Sequence, residues 1–265
     1  MNHLLEFMIV ASVASLGLVF VLRRSNPSLP VLLELMRLVA GFYLAVFKRF
    51  RSVNTHHIPE SGPLILVSNH TTVFDPICLQ VACRNRAIRF MEAREYYERM
   101  PLYFLYRLLR VIPVNRNGND TASVRTASRE LANNGCIGIF PEGRISDDGQ
   151  LQEARQGVAL LAMLSNATVV PAYLEGADRF AGMILDFFKF DRVTLFFGPP
   201  IRFDDLIGQH RDKEAREVAL KRIMDGIAAL KAKSQVQAGD LASSPKTQQK
   251  PQSGQDRDRS IQLPS

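Results

Sequence analysis

The chain is 265 residues long and 46% apolar, with no long internal repeat, which suffices for one sizeable α/β domain with appendages rather than two full domains. Its formal charge of +7 favours anionic partners. Nucleic acid is disfavoured because no zinc-finger or RNP signature accompanies the basic residues, so phospholipid surfaces and phosphorylated substrates fit better.

Residues 4–22 hold one charge, Glu6, and at about 1.5 Å per residue they reach about 28 Å, enough to cross the hydrocarbon of a bilayer. A cleaved signal peptide is the alternative, but the start Met1-Asn2-His3 lacks a positive region and no A-x-A site follows. Arg23 and Arg24 close the span ahead of a basic chain, which places the bulk of the protein on the cytoplasmic side of the membrane. Residues 1–24 therefore read as a transmembrane anchor. Residues 30–50 are also apolar, yet Glu34 and Arg37 interrupt them and Lys48, Arg49 and Arg51 close them, the pattern of a helix lying in the membrane interface. A second span is the other reading. The stretch 25–58 is thus an interfacial helix with a linker.

From Pro63 onward, short β-branched or apolar runs alternate with helical stretches, as in an α/β fold built on a mostly parallel sheet flanked by helices. Strands are predicted over 64–68, 88–91, 111–114, 136–140, 168–174 and 193–197, and helices over 76–84, 96–110, 120–133, 153–165 and 213–233. This domain occupies 59–233. Cys78, Cys83 and Cys136 are irregularly spaced in apolar context and read as buried thiols of a reducing compartment. Two aromatic or apolar segments, 96–109 and 180–190, fit core packing, and the second equally fits a surface resting on the bilayer or lining an acyl channel. Beyond Ser234 the chain turns to Gln, Ser, Pro, Lys, Asp and Arg, too polar to offset chain entropy by burial, so 234–265 is predicted to be a disordered tail.

In open parallel sheets the ligand crevice lies beyond the carboxyl ends of the strands, and His70, Arg116 and Glu142 each follow a predicted strand. One cleft can hold all three. In a continuous helix His70 and Asp75 would sit about 140° apart, so they face each other only if the chain turns between them, as a strand-to-helix junction allows. A histidine can take the proton of an attacking hydroxyl, and a carboxylate on its other nitrogen fixes the tautomer and stabilises the imidazolium. Two plainer readings stand beside this one: a satisfied buried histidine, and Asp75 with Pro76 as the cap and first residue of the next helix. Neither His56-His57 nor His70 to Asp75 has metal-ligand spacing, so no metal and no cofactor is expected. Glu142 follows the proline that ends a strand, and Gly143 permits close approach of a substrate to the backbone. A bare exposed turn is the plainer reading there.

Four segments in order carry a resemblance. Asn69-His70 through Asp75 matches an H-x-x-x-x-D block, 111–116 a second block that ends in Arg116, 140–146 an F-P-E-G block, and 169–171 a Val-Val-Pro block. With these, over residues 59–200, the chain resembles the glycerolipid acyltransferases, the family of 1-acyl-sn-glycerol-3-phosphate acyltransferases. The resemblance implies transfer of a fatty acyl group from acyl-CoA or acyl carrier protein to the free hydroxyl of a lysophospholipid at a membrane. It makes His70 the base with Asp75 behind it, Glu142 and Gly143 part of the acceptor site, and Arg116 and Arg144 the phosphate ligands through charge-assisted hydrogen bonds. Solvated surface would account for either arginine taken alone.

Two positions depart from the family pattern. Arg144 stands one place earlier than in the F-P-E-G-T-R-S form of members that acylate lysophosphatidic acid, and F-P-E-G-R-I is similar to enzymes that reacylate lysophosphatidylethanolamine. The first acceptor to consider is 1-acyl-sn-glycerol-3-phosphate, giving phosphatidic acid, with lysophosphatidylethanolamine as the alternative. Arg110 stands where glycine often opens the second block. Readings of other classes are a lipid-binding membrane scaffold without turnover and a hydrolase of acyl thioesters.

Overall fold

A computed structural model of the protein describes residues 30–98, 102–116, 120–146, 148–176 and 189–243, with side chains as far as residue 236. The span expected over 4–22 and most of the apolar segment 180–190 lie outside these residues. Among the described residues, no helix is long and apolar enough to cross a membrane.

The chain runs α1 (Val31–Phe47), β1 (Arg51–Val53), a 3-10 turn (Thr55–His57), β2 (Leu64–Ser68), α2 (Asp75–Ala82), β3 (Ile88–Ala93), α3 (Arg94–Tyr97), α4 (Leu102–Leu108), β4 (Ile112–Val114), α5 (Thr121–Ala132), β5 (Cys136–Ile139), α6 (Gly157–Ser165), β6 (Thr168–Glu175), β7 (Thr194–Phe197), a second 3-10 turn (Asp204–Leu206) and α7 (Lys213–Ser243). The strands form one sheet in the order β1-β7-β6-β2-β5-β3-β4. From β6 to β4 every neighbouring pair is parallel, β7 runs antiparallel to β6, and β1 is parallel to β7. The mostly parallel α/β sheet expected from the sequence is thus present.

Central β2 reads Leu-Ile-Leu-Val-Ser and is buried at every residue, because helices cover both faces. Ile65 and Val67 join Ile137, Ile139 and Val169 in a core against α5, α6 and α7. Leu64 and Leu66 join Cys136, Val170 and Ala172 in a second core against α1 and α2. All three cysteines are buried in this second core as thiols.

The structure departs from expectation at several elements. Arg51–Val53, within the stretch expected to be linker, pairs with β7 as an edge strand. The helix expected over 96–110 begins at Arg94 and is two helices, Arg94–Tyr97 and Leu102–Leu108, and the one expected over 153–165 begins only at Gly157. The last helix continues through Ser243, past the point where a tail was expected to begin. Its inward stripe of Ala215, Ala219, Ile223, Ile227 and Leu230 is continued by Ser234, which is buried and donates its hydroxyl to Glu175 Oε1 at 3.1 Å. A hydrogen-bonded serine keeps the helix docked where composition alone offered no apolar anchor.

Candidate active site

Four adjacent parallel strands, β2, β5, β3 and β4, end along one edge of the sheet, and the residues that follow or close them build the site. Beyond β2, Asn69 turns its side-chain amide into a backbone substitute. Its Oδ1 accepts from Leu174 N at 2.8 Å and its Nδ2 donates to Leu174 O at 3.0 Å, which ties the loop to β6.

The next residue, His70, brings its Nδ1 to 2.8 Å from Asp75 Oδ2. That same oxygen accepts the Thr71 and Thr72 amides at 2.6 and 2.9 Å, and Oδ1 accepts the Thr72 hydroxyl at 2.7 Å. Asp75 is wholly buried. It is not the helix cap: Phe74 occupies that position, and Asp75 is the first helical residue with its carboxylate turned back to the loop before it. An acceptor at Nδ1 puts the ring proton there and leaves Nε2 as the basic nitrogen. The His70 side chain is 12% exposed, open to a reactant but shielded from bulk water.

Under the imidazole lies Phe140, stacked at 4.0 Å between centroids and 15° between planes, and Phe90 continues the stack on Phe140 at 6.1 Å and 8°. The Phe90 ring occupies the space where a side chain at Gly138 would stand, so this close packing needs glycine in β5. His70 O in turn accepts from Ser146 N at 2.7 Å, which fastens the loop after β5 to the loop after β2.

Glu142 is buried, and neither of its carboxylate oxygens has a hydrogen-bond partner. Burial raises its pKa to about 7; the His70 charge and the backbone N–H groups of His70 and Gln152 act the other way without closing full hydrogen bonds, and the Asp75 charge adds to the rise. Gly143 takes a φ of +69°, and a side chain there would meet Arg155 Nε at 2.8 Å. Its carbonyl accepts from Arg116 Nη1 at 2.9 Å. Arg116 also pairs with Glu95 and lies over the Tyr96 ring at 5.8 Å. Arg116, Gly143, Glu142 and His70 are therefore brought to one edge. Arg144 is not drawn in with them: it is exposed and donates to Gln152 Oε1 at 2.8 Å.

Four residues of this region were missed in the sequence. Asn69 and Phe140 were visible only as members of motifs, while Glu92 and Glu95 were passed over. An acidic residue two positions beyond Phe90 at the end of an apolar strand was the available signal for Glu92. Its pKa is raised by burial, against which the Ala93 amide and the charges of His70 and Arg116 act, while Glu95 adds to the rise. Among the described residues, no three of His, Cys, Asp and Glu gather as a metal site would require. His57 Nδ1 instead bonds the Phe197 carbonyl at 3.0 Å.

A histidine oriented by a buried carboxylate, with an unpartnered acid beside it and an arginine farther along the edge, can deprotonate a hydroxyl on an anionic molecule. Residues 49–175 match the family model described as Acyltransferase. The 1-acyl-sn-glycerol-3-phosphate acyltransferase of Bacillus subtilis (strain 168) is 26% identical over 153 residues, 57% of this chain and 73% of that one. The Homo sapiens 1-acyl-sn-glycerol-3-phosphate acyltransferase beta is 27% identical over 165 residues, 59% of each chain. The match thus spans well under the full length of these curated relatives. The crystal structure of the 1-acyl-sn-glycerophosphate (LPA) acyltransferase PlsC from Thermotoga maritima shares the fold at a TM-score of 0.56 and 19% identity, covering 87% of this chain and 97% of that one.

Proposed function

Because the chain belongs to the glycerolipid acyltransferase family, we propose that it moves a fatty acyl group directly from acyl-CoA or acyl carrier protein to the free hydroxyl of a lysophospholipid. The observation that carries this reading is the His70 to Asp75 hydrogen bond at 2.8 Å, with Nε2 left as the basic nitrogen. Nε2 takes the acceptor's hydroxyl proton as its oxygen attacks the thioester carbonyl. The tetrahedral adduct then collapses, the C–S bond breaks, and the imidazolium returns the proton to the departing thiolate. Asp75 stabilises the transient imidazolium. General-base action of this kind contributes about 10²- to 10⁴-fold to the rate. The step requires no metal or cofactor.

By their names, the B. subtilis and human relatives act on 1-acyl-sn-glycerol-3-phosphate, and that is the first acceptor of this reading. A second acceptor, lysophosphatidylethanolamine, is favoured by Arg144-Ile145 in place of the Thr-Arg pair and by the acidic residues on the arginine side of the cleft. The lipid would be met at a bilayer surface. In support, Leu32, Leu35, Val39, Phe42 and Val46 form an exposed apolar stripe at helical spacing along α1, with the exposed Arg49 and Arg51 at its end. The catalytic domain would then face the cytoplasm, where acyl-CoA and acyl carrier protein are found.

The test is product formation by full-length protein in detergent, given labelled acyl-CoA or acyl carrier protein with each lysolipid, beside His70→Ala. A diacyl product that disappears in His70→Ala supports the reading. Free fatty acid without a diacyl product would replace it with thioester hydrolysis, and no product with either donor would leave a lipid-binding scaffold.

A further inference from the structure

Glu92 has no part in the proton transfer, yet the sheet brings it to the same edge as the base, between Glu142 and Arg116. The strand order β2-β5-β3-β4 delivers His70, Glu142, Glu92 and Arg116 in that sequence along one edge. Phe90 pairs with Gly138 and Glu92 with Pro113 across the neighbouring strands. Residues two apart on a strand share a face, so Glu92 lies on the side of Phe90, one step nearer the crevice. That is the face on which Phe90, Phe140 and His70 stack.

The Glu92 carboxylate is half-buried and accepts the Ala93 amide at 2.9 Å. Among the described residues, no lysine or arginine closes an ion pair with it. Its neighbour Arg116 spends its guanidinium on Glu95 and on the Gly143 carbonyl. The site thus holds an acid that closes no ion pair of its own, within electrostatic reach of the arginine at the far end of the edge.

We propose that Glu92 selects the acceptor headgroup, taking the cationic nitrogen of a lysophospholipid whose phosphate lies toward Arg116, which reverses the order of the two acceptors above and puts lysophosphatidylethanolamine ahead of 1-acyl-sn-glycerol-3-phosphate. The proposal rests on the acyl-transfer reading above. A phosphate monoester brings close to two negative charges at neutral pH and offers Glu92 nothing but repulsion. A phosphodiester ending in an ammonium brings one negative charge and one positive charge, a two-carbon reach apart. Adjacent strands lie about 4.8 Å apart, a spacing comparable with that reach. Burial holds the Glu92 pKa above its usual range, and an arriving ammonium relieves this cost, so the carboxylate discriminates more sharply than an exposed one would.

The test compares initial rates of full-length protein on three lysolipids with one acyl chain: lysophosphatidylethanolamine, lysophosphatidylglycerol, which has the same phosphodiester without the cation, and lysophosphatidic acid. The wild type is expected to favour the ethanolamine lipid over both others by about 10-fold or more, the scale of one hydrogen bond to a charged group. Glu92→Gln keeps the size and an acceptor for the Ala93 amide, and the preference is expected to fall to within about threefold. Since the ratio is taken on one sample, a loss of folded protein cancels. Equal or reversed wild-type preference overturns the cationic headgroup, whatever the variant does. A preference undiminished in Glu92→Gln overturns the role of Glu92. No transfer to any lysolipid by the wild type overturns the acyl-transfer reading itself.

Discussion

The imidazole of His70 lies nearly flat on the ring of Phe140, 4.0 Å between centroids, so a residue of the loop after β5 sets the tilt of the base carried by the loop after β2. Ring pairs contribute about 0.5–1.5 kcal/mol beyond their area. Phe140→Leu keeps apolar bulk and removes the flat face, and is expected to lower kcat by about 3- to 10-fold with little change in KM. Steady-state rates beside a melting curve check this; a wild-type kcat in a folded sample would remove Phe140 as a platform.

Asp75 does two jobs with one carboxylate. Asp75→Asn can still accept the Thr71 and Thr72 amides, but an amide cannot stabilise the imidazolium as a charge does. Turnover is expected to fall about 10²- to 10⁴-fold. In Asp75→Ala the same two buried amides lose their acceptor, and stability should drop as well, by about 1–3 kcal/mol. Denaturant titration separates the two variants, and equal midpoints for them would contradict the backbone role.

Glu142 gives stability a pH dependence of stated sign. Its folded pKa of about 7 lies above the ordinary 4.5, so between these values the folded state binds more protons than the unfolded. Stability should therefore fall as pH rises from 4.5 through 7, and level off above. Glu142→Gln, neutral throughout, should flatten that part of the profile. Melting temperatures measured across the window in both proteins decide it, and parallel profiles would show that the carboxyl ionises normally.

Asn69→Ala would strand both backbone groups of Leu174, N–H and C=O, in the buried junction of β2 and β6. A loss of about 2–4 kcal/mol is expected in chemical denaturation. Asn69→Asp should fail comparably, because it offers no donor to the Leu174 carbonyl. A denaturation midpoint unchanged in either would show that water replaces the amide.

Val39 and Phe42 are 62% and 73% exposed on α1, so polar replacements there leave the core intact. Val39→Ser with Phe42→Ser is expected to weaken sedimentation with anionic vesicles by about 10-fold while the melting temperature holds. Undiminished binding would place the membrane contact elsewhere in the chain.

Much of the sheet was legible because its strands are short apolar runs with both faces covered, a pattern that composition exposes directly. Ser234 illustrates the limit: a polar residue can dock a helix through a hydrogen bond that no hydrophobic pattern announces. His70, Asp75, Glu142 and Arg116 were legible as blocks in a fixed order, and the turn between the first two follows from the need to bring them face to face. Asp75 as a helix cap was a sound local reading, but the loop amides of Thr71 and Thr72 compete for the carboxylate and win. Glu92 was visible as an acid ending an apolar strand and Phe140 as a motif member, but what each stands beside follows from strand order, which no local window contains.

Tyr43, on the inner side of α1, packs against Phe74 at 5.9 Å, and Phe74 is the residue immediately before Asp75. The helix that would rest on lipid is thus joined through this ring contact to the segment that aims the base. Were α1 to lie in the interface, His70 would acquire a set elevation above the acyl chains. A lysolipid held in the leaflet by its remaining chain presents its glycerol hydroxyl at a depth of its own. Which hydroxyl reacts then becomes a question of matching altitudes, and a change in bilayer thickness or lateral pressure would alter the reaction without touching a single residue of the cleft.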